Sequence, residues 1–175
     1  NMAVKRVKAS TNGQDYILSY DEVSGSYKAT ITAPSKSSYN NNDGHYYPVS
    51  VTATDDAGNS TTVTDTDTTF GNDLKLKVKE KVKPIIAVTY PTASATITSA
   101  TPTITWTVTD DDSGIDEATI AIKIDSGTYV TSGITTTAIT KGFNCSYKIP
   151  TSLSNGAHSF SLKVSDHDGN AATEV

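Results

Sequence analysis

Residues 104–108 read Ile-Thr-Trp-Thr-Val and give the clearest secondary-structure signal in the chain. Ile104, Trp106 and Val108 fall on one face of an extended segment, while Thr105 and Thr107 fall on the other. Because successive side chains of a β-strand point to opposite faces, this pattern predicts a strand with one buried face. β-Branched and aromatic residues also suit a pleated, half-buried surface.

The same alternation recurs in three other segments, at residues 49–53, 143–149 and 158–164. The residues expected to point inward are Val49, Val51, Ala53, Phe143, Cys145, Tyr147, Ile149, His158, Phe160, Leu162 and Val164. No stretch of ten residues places apolar side chains at helical spacing. The sequence therefore predicts an all-β protein with antiparallel sheets, each with one buried face.

Composition and length define how large the cores can be. The chain has 175 residues, of which 35% are hydrophobic and 7% aromatic, so any core must be thin. Two sheets packed face to face need little more than one layer of side chains from each sheet. Since one seven-stranded sandwich takes about 100 residues, the length predicts two tandem β-sandwiches.

Charge and cysteine content exclude several classes of protein. A net charge of −5 argues against nucleic-acid binding, which needs clustered positive charge. The single cysteine excludes an intrachain disulfide, and no apolar run is long enough for membrane insertion. Asn1 before Met2 resembles a scar of tag removal, which would make Met2 the natural start without a signal peptide. The alternative is an internal fragment in which Met2 is incidental.

Residues 74–83 alternate leucine or valine with lysine, except that Glu80 takes one apolar position, and are expected to form a strand. One interpretation is a basic stripe that meets an anionic polymer such as teichoic acid. The favoured interpretation is an exposed strand whose lysines prevent edge-to-edge pairing. Pro84 then interrupts the pattern, so we place the module boundary near residue 83, with modules at 1–83 and 84–175. No Gly/Ser-rich linker separates them, which predicts close coupling.

An internal repeat supports this division. A strand is followed by Asp55-Asp56-Ala57-Gly58-Asn59 in the first half and by Asp166-His167-Asp168-Gly169-Asn170 in the second. Gly and Asn tolerate the left-handed backbone that a tight reversal needs. Each segment is therefore predicted to close a β-hairpin.

The second module has an acidic loop, Asp112-Ser113-Gly114-Ile115-Asp116, a later corner and a last hairpin. The corner residues are Leu153, Gly156 and His158, and the hairpin residues are Asp166, Gly169 and Asn170. In these motifs the module resembles the bacterial immunoglobulin-like (Big-type) domains that occur in tandem on surface and phage proteins. The first module shares the pattern only from about residue 26 to 64. The resemblance implies two tandem immunoglobulin-like antiparallel β-sandwiches.

We expect no enzymatic activity, because no catalytic motif is present. Cys145 lies in phase with the inward residues of its strand, which is typical of an inert core thiol. His45, His158 and His167 share no metal-binding spacing and are interpreted as structural or solvated. No cofactor is expected, with calcium as the one exception.

Acidic residues suggest a calcium site. The candidate ligands are Asp110, Asp111, Asp112, Asp116, Asp166 and Asp168. In an immunoglobulin sandwich the loops that carry them emerge at the same end, and hard carboxylate oxygens suit Ca²⁺. The alternative is that aspartate is simply the common residue of turns, where it accepts hydrogen bonds from nearby amides.

A tyrosine- and asparagine-rich loop suggests a glycan-binding face. The candidate residues are Tyr39, Asn41, Asp43 and Tyr46. Flat aromatic faces beside amide hydrogen bonds are typical of sugar and protein contacts. The alternative is that Tyr46 or Tyr47 packs into the sandwich and the polar loop merely connects strands.

Three functional classes remain open. The chain could belong to a phage virion, as a tail or capsid-associated module, or to an adhesive surface protein of a bacterium. The third alternative is a carbohydrate-binding accessory domain of a secreted enzyme. All three imply an extracellular, cell-surface or virion location. The expected partners are cell-surface carbohydrate or protein and further domains of the same parent chain. A native Met2 would favour the virion, since it closes the secretory route.

Overall fold

The computed structural model describes residues 3–175, so the interpretation of Met2 as the start lies outside the described part. The chain divides into two compact units, with the division between Lys79 and Glu80. The described residues form twelve β-strands and one short 3₁₀ turn, Gly71–Leu74. Within residues 3–175, no helix has the length and apolar character that crossing a bilayer would require.

The first unit is one antiparallel sheet. Its strands are β1 Val4–Thr11, β2 Gln14–Asp21, β3 Ser26–Lys28, β4 Tyr47–Asp55, β5 Ser60–Val63 and β6 Lys75–Leu76. Their order is β3-β2-β1-β4-β5, and β6 also pairs with β4. Asn12 and Gly13 join β1 to β2 with φ angles of 48° and 71°, as a two-residue hairpin turn requires.

The sandwich expected over residues 1–83 is not what the strand pairing of the first unit shows. All its described strands join a single sheet. No strand is assigned to residues 29–46, so this polar stretch adds no facing sheet. Most positions of β4 are half-buried instead of alternating between buried and exposed. Among the described residues of this unit, the buried hydrophobic side chains are those of Val7 and Tyr47.

The lysine-rich strand expected over residues 74–83 is much shorter in the structure. Only Lys75–Leu76 pairs with β4, opposite Tyr47 and Pro48. Further along, the Val78 carbonyl accepts a hydrogen bond from the Ser38 amide at 2.8 Å, so this stretch bonds to a loop. The division between units also lies before residue 83, because Glu80 bonds to residues of the second unit.

The second unit consists of two facing antiparallel sheets. Its strands are β7 Ile85–Tyr90, β8 Thr103–Thr109, β9 Ile115–Ile124, β10 Ile134–Ile139, β11 Gly142–Lys148 and β12 Phe160–Asp166. One sheet has the order β10-β11-β8-β7, and the other pairs β9 with β12. Residues 171–175 extend the second sheet, since Ala172 and Val175 bond to Val164 and Leu162 of β12. This arrangement is that of a seven-stranded immunoglobulin sandwich.

One hydrophobic core fills the space between these sheets. Its eleven buried residues are Ile104, Trp106, Val108, Ile115, Ile120, Ile122, Cys145, Tyr147, Ile149, Leu162 and Val164. The inward faces predicted for residues 104–108, 143–149 and 158–164 are therefore confirmed at all but one position, with Phe143 and Phe160 partly buried against this core. His158 is the exception: it is exposed and precedes β12, which begins at Phe160. Its ring bonds to Asp125 and to the Ser154 carbonyl, which hold it outside the core.

Candidate functional site

Asp110 follows the last residue of β8 and organises the loop beyond it. Its amide donates to the Lys141 carbonyl at 2.8 Å. Its Oδ1 accepts hydrogen bonds from the Asp112 amide at 3.0 Å and the Gly114 amide at 2.7 Å. Gly114 permits this turn because its φ is 86°, in the left-handed region. The Asp110 residue is only 6% exposed, so its carboxylate is held almost out of solvent.

Asp166 occupies the corresponding place at the end of β12. Its Oδ1 accepts from the Asn170 amide at 2.8 Å, and its Oδ2 accepts from Asn170 Nδ2 at 2.7 Å. The Gly169 amide donates to the Asp166 carbonyl, which closes the turn. With 2% exposure, Asp166 is also buried.

The repeat seen in the sequence is confirmed by these bonds. In the first unit, the Asp55 carboxylate accepts from the Asn59 amide at 2.9 Å and from Asn59 Nδ2 at 3.0 Å. The Gly58 amide donates to the Asp55 carbonyl, as Gly169 does in the second unit. Both segments close antiparallel hairpins, between β4 and β5 and between β12 and residues 171–175.

Glu80 brings a third carboxylate to Asp110 and Asp166. Its amide donates to Asp168 Oδ2 at 2.9 Å. Its Oε1 accepts from Asn170 Nδ2 at 3.2 Å and from the Ser113 hydroxyl at 3.3 Å. Its Oε2 accepts from the Val82 amide. Glu80 is therefore held against both acidic loops of the second unit.

The three carboxylates form a compact acidic cluster, which we call the tricarboxylate cluster: Glu80, Asp110 and Asp166. One ligand oxygen from each lies within 4.8 Å of those of the other two. Burial raises the pKa of Glu80, and the hydrogen bond to Asp166 and the charges of Asp166 and Asp110 raise it further. Burial also raises the pKa of Asp166, but its hydrogen bonds, chiefly from Asn170, outweigh this and the net shift is downward. This concentration of negative charge suits a cation.

Of the six aspartates singled out as calcium ligands, Asp110 and Asp166 meet in the tricarboxylate cluster. Asp168 lies beside it, bonded to the Glu80 amide, and Asp112 donates its own amide to Asp110. Asp111 lies outside the cluster: its carboxylate pairs with Lys141 at 2.8 Å and its side chain is 74% exposed.

Asp116 also lies outside the tricarboxylate cluster, since its Oδ1 accepts from the Ala118 amide at 3.2 Å within β9. Sequence reasoning missed Glu80. The sequence feature that could have identified Glu80 is that it is the one acidic residue within the lysine-rich run 75–83.

The glycan-binding candidates all lie on one loop of the first unit. The Tyr39 ring stacks on the His45 ring, with centroids 4.1 Å apart. Asn41 Nδ2 donates to the Tyr46 carbonyl at 2.8 Å, and the Tyr46 hydroxyl donates to Asp65 at 2.8 Å. Asp43 is exposed at the tip. Tyr47 is the buried tyrosine next to this loop, and Tyr46 is half-buried.

Cys145 is a buried free thiol of β11. Burial raises its pKa to about 11, and the nearby Glu117 charge adds to the shift. The thiol is therefore protonated at neutral pH and is a poor nucleophile. This confirms the interpretation of Cys145 as a core thiol.

Comparison with known proteins agrees with the topology of the second unit. Residues 84–162 match the family described as Bacterial Ig domain, from the start of β7 into β12. A search of the curated proteins found no match. The second unit is therefore a Big-type bacterial immunoglobulin-like domain. Such domains are surface or structural modules that are generally non-catalytic and typically extracellular or surface-exposed.

Proposed function

We propose that this chain is a non-enzymatic structural and adhesive module of a bacterial surface protein or of a phage virion. In a virion it would belong to the tail or be capsid-associated. Its second unit acts as a rigid spacer, and the chain presents a binding face to cell-surface glycan or protein. Further domains of the same parent chain would be its covalent neighbours. Repetition along a surface or particle then turns weak contacts into useful avidity.

The observation that carries this proposal is the position of the two ends of the second unit. β7 begins at Ile85, opposite Thr109, beside the acidic loops. The last residue, Val175, bonds to Leu162 and lines a groove together with Pro91, just beyond the end of β7. The chain therefore enters the sandwich at one end and reaches the other end at residue 175. This geometry suits a module that spans distance and transmits tension.

Stretching the full chain between handles at its two termini tests the structural role. We expect a distinct unfolding event whose gain in contour length matches the second unit, because the shared core must break at once. Extension without a force peak of that length would contradict the role as a rigid spacer.

A second candidate function is glycan binding by the Tyr39 loop, as in a carbohydrate-binding accessory domain of a secreted enzyme. The stacking of the Tyr39 ring on the His45 ring favours it, since an aromatic ring held in one orientation suits contact with a sugar. Binding to cell-wall glycans should fall when Tyr39→Ala or Asn41→Ala is introduced. Tyr20→Ala is the control, because Tyr20 is an exposed tyrosine of β2 that packs near Tyr27 on β3. Equal binding by Tyr39→Ala and the unmodified chain would reject the glycan interpretation.

A further inference from the structure

Asp110 carries a buried oxygen that lacks a partner. Its Oδ1 accepts hydrogen bonds from two backbone amides, but no group within residues 3–175 donates a hydrogen bond to its Oδ2. The residue is more than nine-tenths buried, so solvent does not replace the missing donor. A buried anionic oxygen without a partner costs free energy comparable to a lost charged hydrogen bond. Because Asp110 is a member of the tricarboxylate cluster, its unpartnered carboxylate oxygen points to a cation as the partner.

The groups outside the tricarboxylate cluster that hydrogen-bond to its carboxylates, within residues 3–175, are neutral. Apart from the hydrogen bond between Glu80 and Asp166, the hydrogen bonds to its carboxylates come from backbone amides, the Asn170 amide group and the Ser113 hydroxyl. None of the ion pairs formed by residues 3–175 includes Glu80, Asp110 or Asp166. Three carboxylates therefore share a small, largely buried volume without a basic side chain paired to them.

We propose that Glu80, Asp110 and Asp166 bind a calcium ion, which joins the entry segment of the second unit to its two acidic loops. Ca²⁺ prefers carboxylate oxygens at about 2.3–2.6 Å, so it spans ligand oxygens up to about 5 Å apart. The spacing of at most 4.8 Å lies within that range. Ca²⁺ also accepts six to eight oxygen ligands in flexible geometry, which leaves room for carbonyl groups or water.

A proton is the rival occupant of the tricarboxylate cluster. A protonated Glu80 could donate to Asp166, which is consistent with the raised pKa of Glu80. A proton on Glu80 would satisfy that pair but would leave Asp110 Oδ2 without a partner. A calcium ion satisfies all three carboxylates at once, and the geometry therefore favours the metal.

Calcium titration of the full chain, first stripped with a chelator, tests the proposal. Trp106 is the one tryptophan of the chain and is buried in the core of the second unit, so its fluorescence follows unfolding of that unit. Calcium at ten times its dissociation constant should raise the melting temperature by about 5 °C or more. Calorimetric titration should show saturable binding of Ca²⁺, and Mg²⁺ at the same concentration should produce a smaller shift.

Three variants distinguish calcium binding by the tricarboxylate cluster from an effect of neighbouring carboxylates. Asp110→Asn keeps the oxygen that accepts the loop amides, and Glu80→Gln changes a partly exposed side chain, so at least one variant should fold. Both should lose at least about tenfold in calcium affinity. Asp111→Asn, next to Asp110 but paired with Lys141, should bind as the unmodified chain does.

Three results would each overturn the calcium assignment. The first is an unchanged melting temperature in millimolar calcium. The second is full affinity in Glu80→Gln and Asp110→Asn. The third is a loss of affinity in Asp111→Asn as large as theirs.

Discussion

His158 shows how one side chain can be structural outside the core. Its Nδ1 lies 2.7 Å from Asp125 Oδ2, and its Nε2 lies 3.0 Å from the Ser154 carbonyl oxygen. A protonated ring donates from both nitrogens, so the Asp125 bond, and then the Ser154 bond, raise the pKa of His158 above its ordinary value. The Ser159 amide and then His158 lower the pKa of Asp125.

We predict that part of the stability of the second unit is lost as the solution becomes alkaline. The ordinary pKa of histidine is about 6.5, and below it His158 is protonated in both the folded and the unfolded state. Its contribution is then fully present, and it disappears as the pH rises through the higher folded-state pKa. Urea unfolding followed by Trp106 fluorescence should give a larger free energy of unfolding at about pH 6 than at about pH 8.

The matched control for this prediction is His158→Gln, which cannot be protonated. The variant should lose stability chiefly at the lower pH, so the difference between the two pH values should shrink. An identical pH dependence in the variant and the unmodified chain would show that other groups cause it.

At the scale of the element, β8 shows how alternation of apolar and polar residues in the sequence determines which side chains enter the core. Val108 is completely buried in this central strand, whereas its neighbour Thr107 is only half-buried on the other face. Val108→Ala removes two methyl groups and leaves a cavity, so it should cost about 2 kcal/mol of unfolding free energy. Thr107→Ala should stay within about 0.5 kcal/mol, as expected away from the core.

Denaturant unfolding of the two variants measures this contrast directly. Trp106 lies in the same strand, directly before Thr107 and two residues from Val108, so its fluorescence follows unfolding of both variants. Equal losses of stability in Val108→Ala and Thr107→Ala would mean that the two faces of β8 are not distinguished by burial.

The elements also show what the sequence can and cannot predict. β8 and β11 were predictable because each has a hydrogen-bonding strand on either side, and because the facing sheet buries one face of their alternating pattern. The lysine-rich run has equally regular alternation, but only its first residues find a partner in β4. Alternation of apolar and polar residues indicates which face of a strand can be buried. Formation of the strand also requires a neighbouring strand whose backbone can hydrogen-bond to it.

The same distinction applies to the tricarboxylate cluster. Asp110 follows β8 and Asp166 ends β12, and the immunoglobulin topology brings these strand ends together, so their meeting was predictable. Glu80 precedes β7 and depends on bonds to Ser113 and Asn170. Such contacts join residues far apart in sequence, and no local pattern encodes them.

At the scale of the whole molecule, hydrophobic burial is distributed unevenly. The eleven-residue core belongs entirely to the second unit. In the described part of the first unit, Val7 and Tyr47 are the buried hydrophobic side chains, beside the buried polar residues Thr11, Ser37 and Ser38. Since burial of apolar surface is the main favourable term in folding, the first unit should be the less stable.

We predict that local unfolding of the first unit requires less free energy than local unfolding of the second. Hydrogen–deuterium exchange of the full chain should show slower exchange in β8, β11 and β12 than in β1, β2 and β4, because local opening is rarest where apolar contacts are densest. Val7→Ala should accelerate exchange throughout the first sheet while leaving Trp106 and its neighbours protected. If exchange in β4 were as slow as in β8, and Val7→Ala accelerated both, the chain would open as one cooperative body, and the uneven distribution of buried side chains would not govern its stability.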